Sequence, residues 1–396
     1  MAINFRATKN GTRSSVISID PPSKTIRFCF ANEAGDLSVS LGNYKDGAFD
    51  TEQLERIGKA VKAQADKIPQ GDFGKVSLVL PDRLFVLDTV NIPVIHRKAM
   101  QNSLKLAIGS IYKNANELEL MTYAVHQTKQ TATYGLTGIR KDLLNNITEA
   151  LAQNGASVSQ VTFASNAMVN GAAALNPRLR GETFLLLDIK AEYTRFALVL
   201  RGCTMGYFDL PFGYSVIHAS RLISEDTLFD RKAGELLVLN AKERALAKQL
   251  TVEDGGIQAE NDEDDTADFE SSSDAASSKN GKKLPKFMQR PLPLIEEEFM
   301  YENFRIFIKW ALELIANNKD IIQGAKLDTV YVNMPSEYRF LLDTVNKKQE
   351  GGEKVFLPVT PNGADGAPAG NLELYGGFFL EKLNVPNTFR IPYRSF

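Results

Sequence analysis

The chain has 396 residues, is 43% hydrophobic and 24% charged, and carries a formal net charge of -2. Those values suit a globular protein large enough for two or three cores, and the near-neutral balance, with no basic stripe interleaved with aromatics, excludes the usual footprint of a nucleic-acid binder. The start, MAINFRATKNGTRSS, lacks the apolar run of about 7–15 residues that marks a secretory leader, and no window approaches the ~18 apolar residues of a membrane span, so a cytoplasmic protein is expected, meeting a membrane only through a partner.

In chain order, SSVISID and KTIRFCFAN read as strands and DLSVSLGNY as a third. Thr51 to Lys67 then has Leu54, Ile57, Val61 and Ala65 at helical spacing. KVSLVLPDRLFVLDTVNIP reads as a buried strand, a Pro-Asp turn and another strand. From about Leu84 a small α+β unit follows: strand, helix (Arg97 to Tyr112), strands (Leu118 to Gln127, Thr133 to Ile139), and a helix from Lys141 that stops at Asn154-Gly155. The chain then returns to its first domain at VSQVTFASNAMVNGAAAL.

The second half opens with strands over Thr183 to Leu200, a turn at Arg201-Gly202, a return strand in CTMGYFDLPFG, and a helix-rich stretch to Gln249. Residues 253 to 278 are rich in acids and lack Lys and Arg, and a basic patch follows at Lys279, Lys282, Lys283, Lys286 and Arg290. Such a segment buries too little apolar surface to order itself and reads as a solvated linker. A charged recruitment tail, or a phosphorylation target at Ser271 to Ser273 and Ser277 to Ser278, is the alternative. Glu298 to Asn318 is expected as a helix with Phe304, Phe307, Ile308, Ala311, Leu312 and Ile315 on its core face. LDTVYVNMP is a strand, and a Gly/Pro-rich loop, Gly351 to Gly370, precedes NLELYGGFFLEKL and the tail NTFRIPYRSF. That tail contains a proline and is too short for an amphipathic membrane anchor.

Two segments share one pattern. Ile19 to Arg27 and Leu185 to Leu198 each run as apolar strand, Asp, short polar loop and second strand. A unit repeated in both halves implies a duplicated β-hairpin architecture with two loops facing one cleft. Loops of that kind hold phosphate through backbone N–H groups, which takes glycine for close approach. Pro22 and Lys190 stand two residues after Asp20 and Asp188.

Taken in order, these segments resemble the actin-like ATPase superfamily, specifically the PilM family of type IV pilus assembly, a relative of the FtsA cell-division proteins. SLVLPDRLFVLDTVNIP followed by a helix and ANELELMTYAVHQ is similar to the family's path into its small inserted subdomain. DLPFGYSVI and IEEEFMYENFRIFIKWALELI resemble the segments that follow the second hairpin and precede the last strand. The resemblance implies an α/β, actin-like (ribonuclease H-like duplicated) fold of two lobes with a small inserted α+β subdomain. The expected division is 14–83 with 155–182 for the first lobe, 84–154 for the insert, 183–250 with 291–396 for the second lobe, and 251–290 as linker.

By the same resemblance the phosphate loops retain Asp20, Ser23 and Arg27, and Asp188 and Thr194, as nucleotide-site positions. Pro22 fixes φ and lacks an N–H, Lys190 replaces the second glycine, and Glu192 adds negative charge. The adenosine segment, Val330 to Ser336, has no glycine, whereas Gly376-Gly377 comes too late in the chain and reads as a turn or helix-packing feature. Each lost charge-assisted phosphate hydrogen bond is worth on the order of 1.5–3 kcal/mol. A pseudo-ATPase is therefore expected, with no cofactor, no catalytic residue and no metal. The alternative keeps ATP and Mg²⁺ through Lys24, Arg27 or Lys190.

The implied role is a cytoplasmic scaffold at the inner face of the membrane. It would bind the cytosolic N-terminal peptide of a bitopic membrane pilus protein, with a pilus motor ATPase or a second copy as further partners. Phe85, Val86, Leu104, Ile108 and Tyr112 are the expected lining of the peptide groove between first lobe and insert, or else ordinary subdomain core. An active actin-like ATPase and an FtsA-like division adaptor are the rival readings. His96, His126 and His218 share no metal-ligand spacing, and no Walker, Rossmann or G-x-S-x-G motif is present. Glu296 to Glu298 opposes the positive end of its helix. Asp20 and Asp188 would either organise Mg²⁺ or hold strand ends by hydrogen bonds.

Overall fold

The computed structural model describes residues 14–20, 25–30, 33–40, 49–67, 73, 75–218, 292–318, 327–348, 354–360, 372–383 and 387–391. The acidic segment 253–278, the basic patch after it, and Pro22, Ser23 and Lys24 of the first loop lie outside these residues.

Two sheets share one strand order. In the first, β1 (Ser14–Asp20), β2 (Thr25–Phe30) and β3 (Glu33–Ser40) form an antiparallel meander. β4 (Lys75–Leu80) adds parallel to β1, and β8 (Ser157–Phe163) parallel to β4. In the second, β9 (Phe184–Ile189), β10 (Thr194–Leu200) and β11 (Cys203–Leu210) form the meander. β12 (Thr329–Asn333) and β13 (Val355–Pro358) then add in parallel. Within each sheet the order by chain position is 3-2-1-4-5, the duplicated actin-like, ribonuclease H-like architecture. The first sheet also gains β14 (Phe389–Arg390), antiparallel to β8, so the end of the described chain belongs with the first lobe rather than the second.

Strand periodicity makes the layers, because alternate side chains point to opposite faces. Ile17, Ile19 and Phe28 face outward beneath α1 (Thr51–Ala65) and α3 (Lys141–Ala152), sharing a core with Ile57, Val61, Leu144, Ile147 and Leu151. α3, expected to close the inserted unit, is thus the helix that crosses from the insert to β8 and packs in the first lobe. In the second lobe Leu185, Leu187 and Phe196 face α6 (Leu292–Asn317) and α7 (Phe340–Lys348). α6 buries Phe304, Phe307, Ile308 and Ala311, the face its spacing predicted. α7, and β13 inside the expected Gly/Pro-rich loop, were not legible in the sequence.

Between the sheets lie α4 (Ala164–Leu175) and α8 (Leu372–Leu383). Val16, Val79, Ala164, Ala167 and Leu374 form one contact layer there, and Met168, Val169, Ala172, Leu186, Ala197 and Leu372 form another. Every residue of α4 from Ala164 to Ala173 is buried. The two helices cross at small residues: a Cβ on Gly376 would overlap the Ala167 carbonyl oxygen, and one on Gly171 would overlap that of Leu372. Gly376-Gly377 is therefore a helix-packing feature. The β10–β11 hairpin turns at Arg201 and Gly202, with φ of 49° and 77° as a two-residue primed turn requires.

The insert is a three-stranded sheet, β5 (Phe85–Pro93), β7 (Thr131–Arg140) and β6 (Leu118–Gln127), covered on one face by α2 (Arg97–Ile111). Its other face sits on both lobes. Leu87 and Met121 touch the first core, Val125 joins the second, and Tyr123 Oη donates to the Thr204 carbonyl at 3.2 Å. Asn387, fully buried with φ of 65°, ties the same junction together. Its side chain accepts from Thr137 Oγ1 of β7 at 2.8 Å and donates to Thr204 O of β11 at 3.1 Å. Its carbonyl accepts from Thr162 Oγ1 of β8 at 3.1 Å.

Candidate interlobe site

The same periodicity that builds the middle layer aims a row of polar residues into it. Asn333 on β12 is in register with Asp188 on β9, Asp188 with Arg195 on β10, and Arg195 with Asp209 on β11. Asn333 Nδ2 donates to Asp188 Oδ1 at 2.7 Å. Arg195, 1% exposed, makes a two-point contact with Asp209, Nε to Oδ1 at 2.9 Å and Nη2 to Oδ2 at 3.1 Å.

The first lobe and α8 complete the cluster. Asp82, just past β4, lies 3.2 Å from Arg195 Nε. It also accepts from the backbone N of Ser165 at 2.7 Å and from Ser165 Oγ at 2.9 Å, capping the first turn of α4 from a distance in sequence. Glu373, fully buried in the first turn of α8, receives Lys190 Nζ on both carboxylate oxygens at 2.6 Å. Arg195 Nη1 is 3.8 Å and Arg27 Nη1 3.9 Å from the same carboxylate. Tyr193 lies beneath both cations, 5.0 Å from Lys190 Nζ and 5.5 Å from the Arg195 guanidinium. A cleft of about 260 Å³ opens beside the cluster, lined by Pro81, Asp82, Arg83, Arg195, Tyr207, Phe208 and Asp209.

Burial sets the protonation of the cluster. It raises both Asp82 and Asp188 from the ordinary carboxylate value to about 6, against Arg195 beside Asp82 and Lys190 beside Asp188, which pull the other way. For Arg195 burial acts downward, but Tyr193, Asp82 and Asp209 outweigh it and hold the guanidinium charged. Tyr207 at the cleft is pushed up to about 12, by burial and then by Asp82 and Asp209.

Of the residues expected at the nucleotide site, the fold brings together Arg27 and Asp188. Thr194 has its hydroxyl on the Phe212 carbonyl at 2.8 Å, holding the hairpin to the start of α5 (Tyr214–His218). Asp20 ends β1, paired in register with Thr25, while Ser23 lies outside the described residues. The residues missed by sequence reasoning are Asp82, Arg195, Asp209 and Glu373. Their signal was a single charge inside an otherwise apolar run, as in TRFALVL.

The groups of the second loop are already engaged within the chain. Lys190, the cation nearest the second loop, is bound to Glu373. The loop's carbonyls at Lys190 and Ala191 accept from the N–H groups of Tyr214 (2.7 Å) and Ser215 (3.0 Å), which occupies the start of α5. Among the described residues, no group of three or more His, Cys, Asp or Glu is placed to hold a metal ion.

The expected peptide-lining residues do not form one open wall. Phe85 is 5% exposed and stacks on Phe163 and Phe389 at ring distances of 5.3 and 6.1 Å inside the first lobe. Ile108 is core of the insert, with Leu104 and Tyr112 packed against it. Tyr112 Oη donates to Asp88 Oδ2 at 2.7 Å. The face of α2 that carries Leu104 and Ile108 packs on the insert's own sheet, while Leu106 and Ile111 of the same helix are exposed. Cys203 is buried and Cys29 half-buried.

No family model matches the sequence, and no curated protein does. Among solved structures, the chain is similar to the PilM-PilN type IV pilus biogenesis complex at 11% identity, over 93% of this chain and 98% of that one, with a TM-score of 0.48. It is similar to the cytoplasmic domain of EpsL, an inner membrane component of the Vibrio cholerae type II secretion system, at 13% identity, over 54% and 76%, with a TM-score of 0.34. It is also similar to ADP-bound MreB5 of Spiroplasma citri at 10% identity, over 94% and 97%, with a TM-score of 0.40. Among the described residues no helix is long and apolar enough to cross a membrane.

Proposed function

We propose that the chain is a cytoplasmic adaptor of a type IV pilus or related secretion machine, which binds the cytosolic tail of a bitopic inner-membrane protein and does not use ATP. The observation that carries the second half is the Lys190–Glu373 pair, buried at 6% and 0% exposure where the second loop would need glycine and open space. Binding triphosphate there means breaking that pair and stripping its partners into a site already crowded with carboxylates. The adaptor half rests on the order of segments shared with the PilM family and on a duplicated fold that keeps its insert.

An extended tail in the seam between first lobe and insert would gain strand-like backbone hydrogen bonds plus side-chain pockets. Val86 is half-buried, whereas Phe85 packs in the first-lobe core, and Leu104, Ile108 and Tyr112 pack between α2 and the insert's own sheet, so the tail would have to be met by other residues of the seam.

Calorimetric titration with ATP and Mg²⁺ tests the first half: no binding at micromolar nucleotide is expected, and micromolar affinity or steady hydrolysis would favour the active ATPase. Capture from inner-membrane extracts tests the second. Recovery of a bitopic pilus or secretion component is expected, and recovery of a division protein instead would overturn the reading.

A further inference from the structure

We infer that the cross-lobe charge cluster centred on Arg195 and Glu373 is a proton-sensitive latch that holds the two lobes closed and tightens on acidification. The inference stands apart from the adaptor reading, since it concerns how the lobes are joined whatever they bind.

The geometry gives the latch two fastenings. Asp82 belongs to the first lobe and Arg195 to the second, and the pair at 3.2 Å is the direct charge contact across the cleft. Glu373 on α8 collects Lys190 and Arg195 from the second lobe and Arg27 from the first. Asp82 also caps α4, so the element crossing α8 is tied to the same point.

Burial explains the proton dependence. Asp82 faces Arg195 and Asp209 on the second sheet, Ser165 on α4, Tyr207 at the cleft, and its neighbour Arg83. Asp188 faces Lys190, Glu373 on α8, Arg195, and Asn333 on β12. Arg195 beside Asp82 and Lys190 beside Asp188 favour the charged forms, but at 4% and 0% exposure the lost hydration outweighs them, so a proton on either carboxylate lifts the cost of a buried charge. The balance raises both carboxylates from an ordinary 3.8 to about 6. Opening the lobes hydrates them and returns them toward the ordinary value, so opening releases protons. By linkage, the opening equilibrium rises about tenfold per pH unit per carboxylate between pH ~4 and ~6, and flattens above.

The test is an interlobe distance. Spin labels go on cysteines placed at Lys59 on α1 and Lys347 on α7, both exposed and one in each lobe, in a Cys29→Ala, Cys203→Ala background. Pulsed electron resonance reads the open fraction in full-length protein from pH 4.5 to 7.5. The expected result is a longer-distance population that grows at least tenfold from pH 4.5 to 6.5. Asp82→Asn, which keeps an acceptor for Ser165, is expected to lower that slope by about one proton while the protein stays folded. Lys190→Met with Glu373→Met is expected to raise the open population at every pH. Distances that change with neither pH nor these substitutions would overturn the latch. A pH response accompanied by an ATP-induced shift would sink the nucleotide-free reading and leave the latch standing.

Discussion

Lys190→Met is the substitution that most directly probes the interlobe cluster. It leaves the Glu373 carboxylate fully buried, with Arg195 and Arg27 remaining only at 3.8 and 3.9 Å in place of two contacts at 2.6 Å. Removing one partner of a buried pair costs about 3–5 kcal/mol, because the other charge is left uncompensated. The residual cations place the expected loss near the lower end, about 3 kcal/mol. Removing both charges together, Lys190→Met with Glu373→Met, eliminates the desolvation of each and is expected to be less damaging than the single change. Urea unfolding followed through Trp310, the chain's one tryptophan and part of the second lobe, reads the difference as a shifted midpoint at unchanged slope. A Lys190→Met protein within about 0.5 kcal/mol of wild type would mean that the pair is not formed, and the argument against triphosphate would lose its main support.

Other expectations follow from the same structure. Gly376→Val should prevent the close crossing of α4 and α8, since even a Cβ there meets the Ala167 carbonyl; soluble, cooperatively melting protein would contradict that packing. Because Asp82 and Asp188 are raised on folding, their contribution to stability is full below the ordinary carboxylate value and is lost as pH rises through about 6. Each amounts to about 3 kcal/mol at most, so Asp188→Asn should flatten the fall in melting temperature between pH 4.5 and 7. Asn387→Gly should cost about 1–3 kcal/mol through Thr137 and Thr204, and Asn387→Ala more, because the positive φ strains alanine. Deleting 253–283 should leave the melting temperature unchanged, and a large drop would refute the linker assignment.

The boundaries of most strands and helices were legible because burial on a regular element leaves a period in the sequence. FLLLDI and TRFALVL read as central strands since both faces are covered, and the Thr51 helix read from its apolar spacing. The last helix did not: LELYGGFFLEKL carries a glycine pair that looks like a turn, and only the crossing against Gly171 makes those glycines helical. α3 read correctly as a helix but was assigned to the wrong unit, because its apolar face does not say which core it enters.

At the candidate site, the sequence shows Pro22 and Lys190 two residues after Asp20 and Asp188, where the resemblance to the PilM family implies glycine. What fills the space was decided by tertiary structure. Asn333, Asp188, Arg195 and Asp209 become one row only when four strands align in register, and Glu373 reaches Lys190 only when α8 crosses between the sheets. Coulomb attraction falls with distance in space, not along the chain, so partners separated by more than a hundred residues leave no local trace of their pairing.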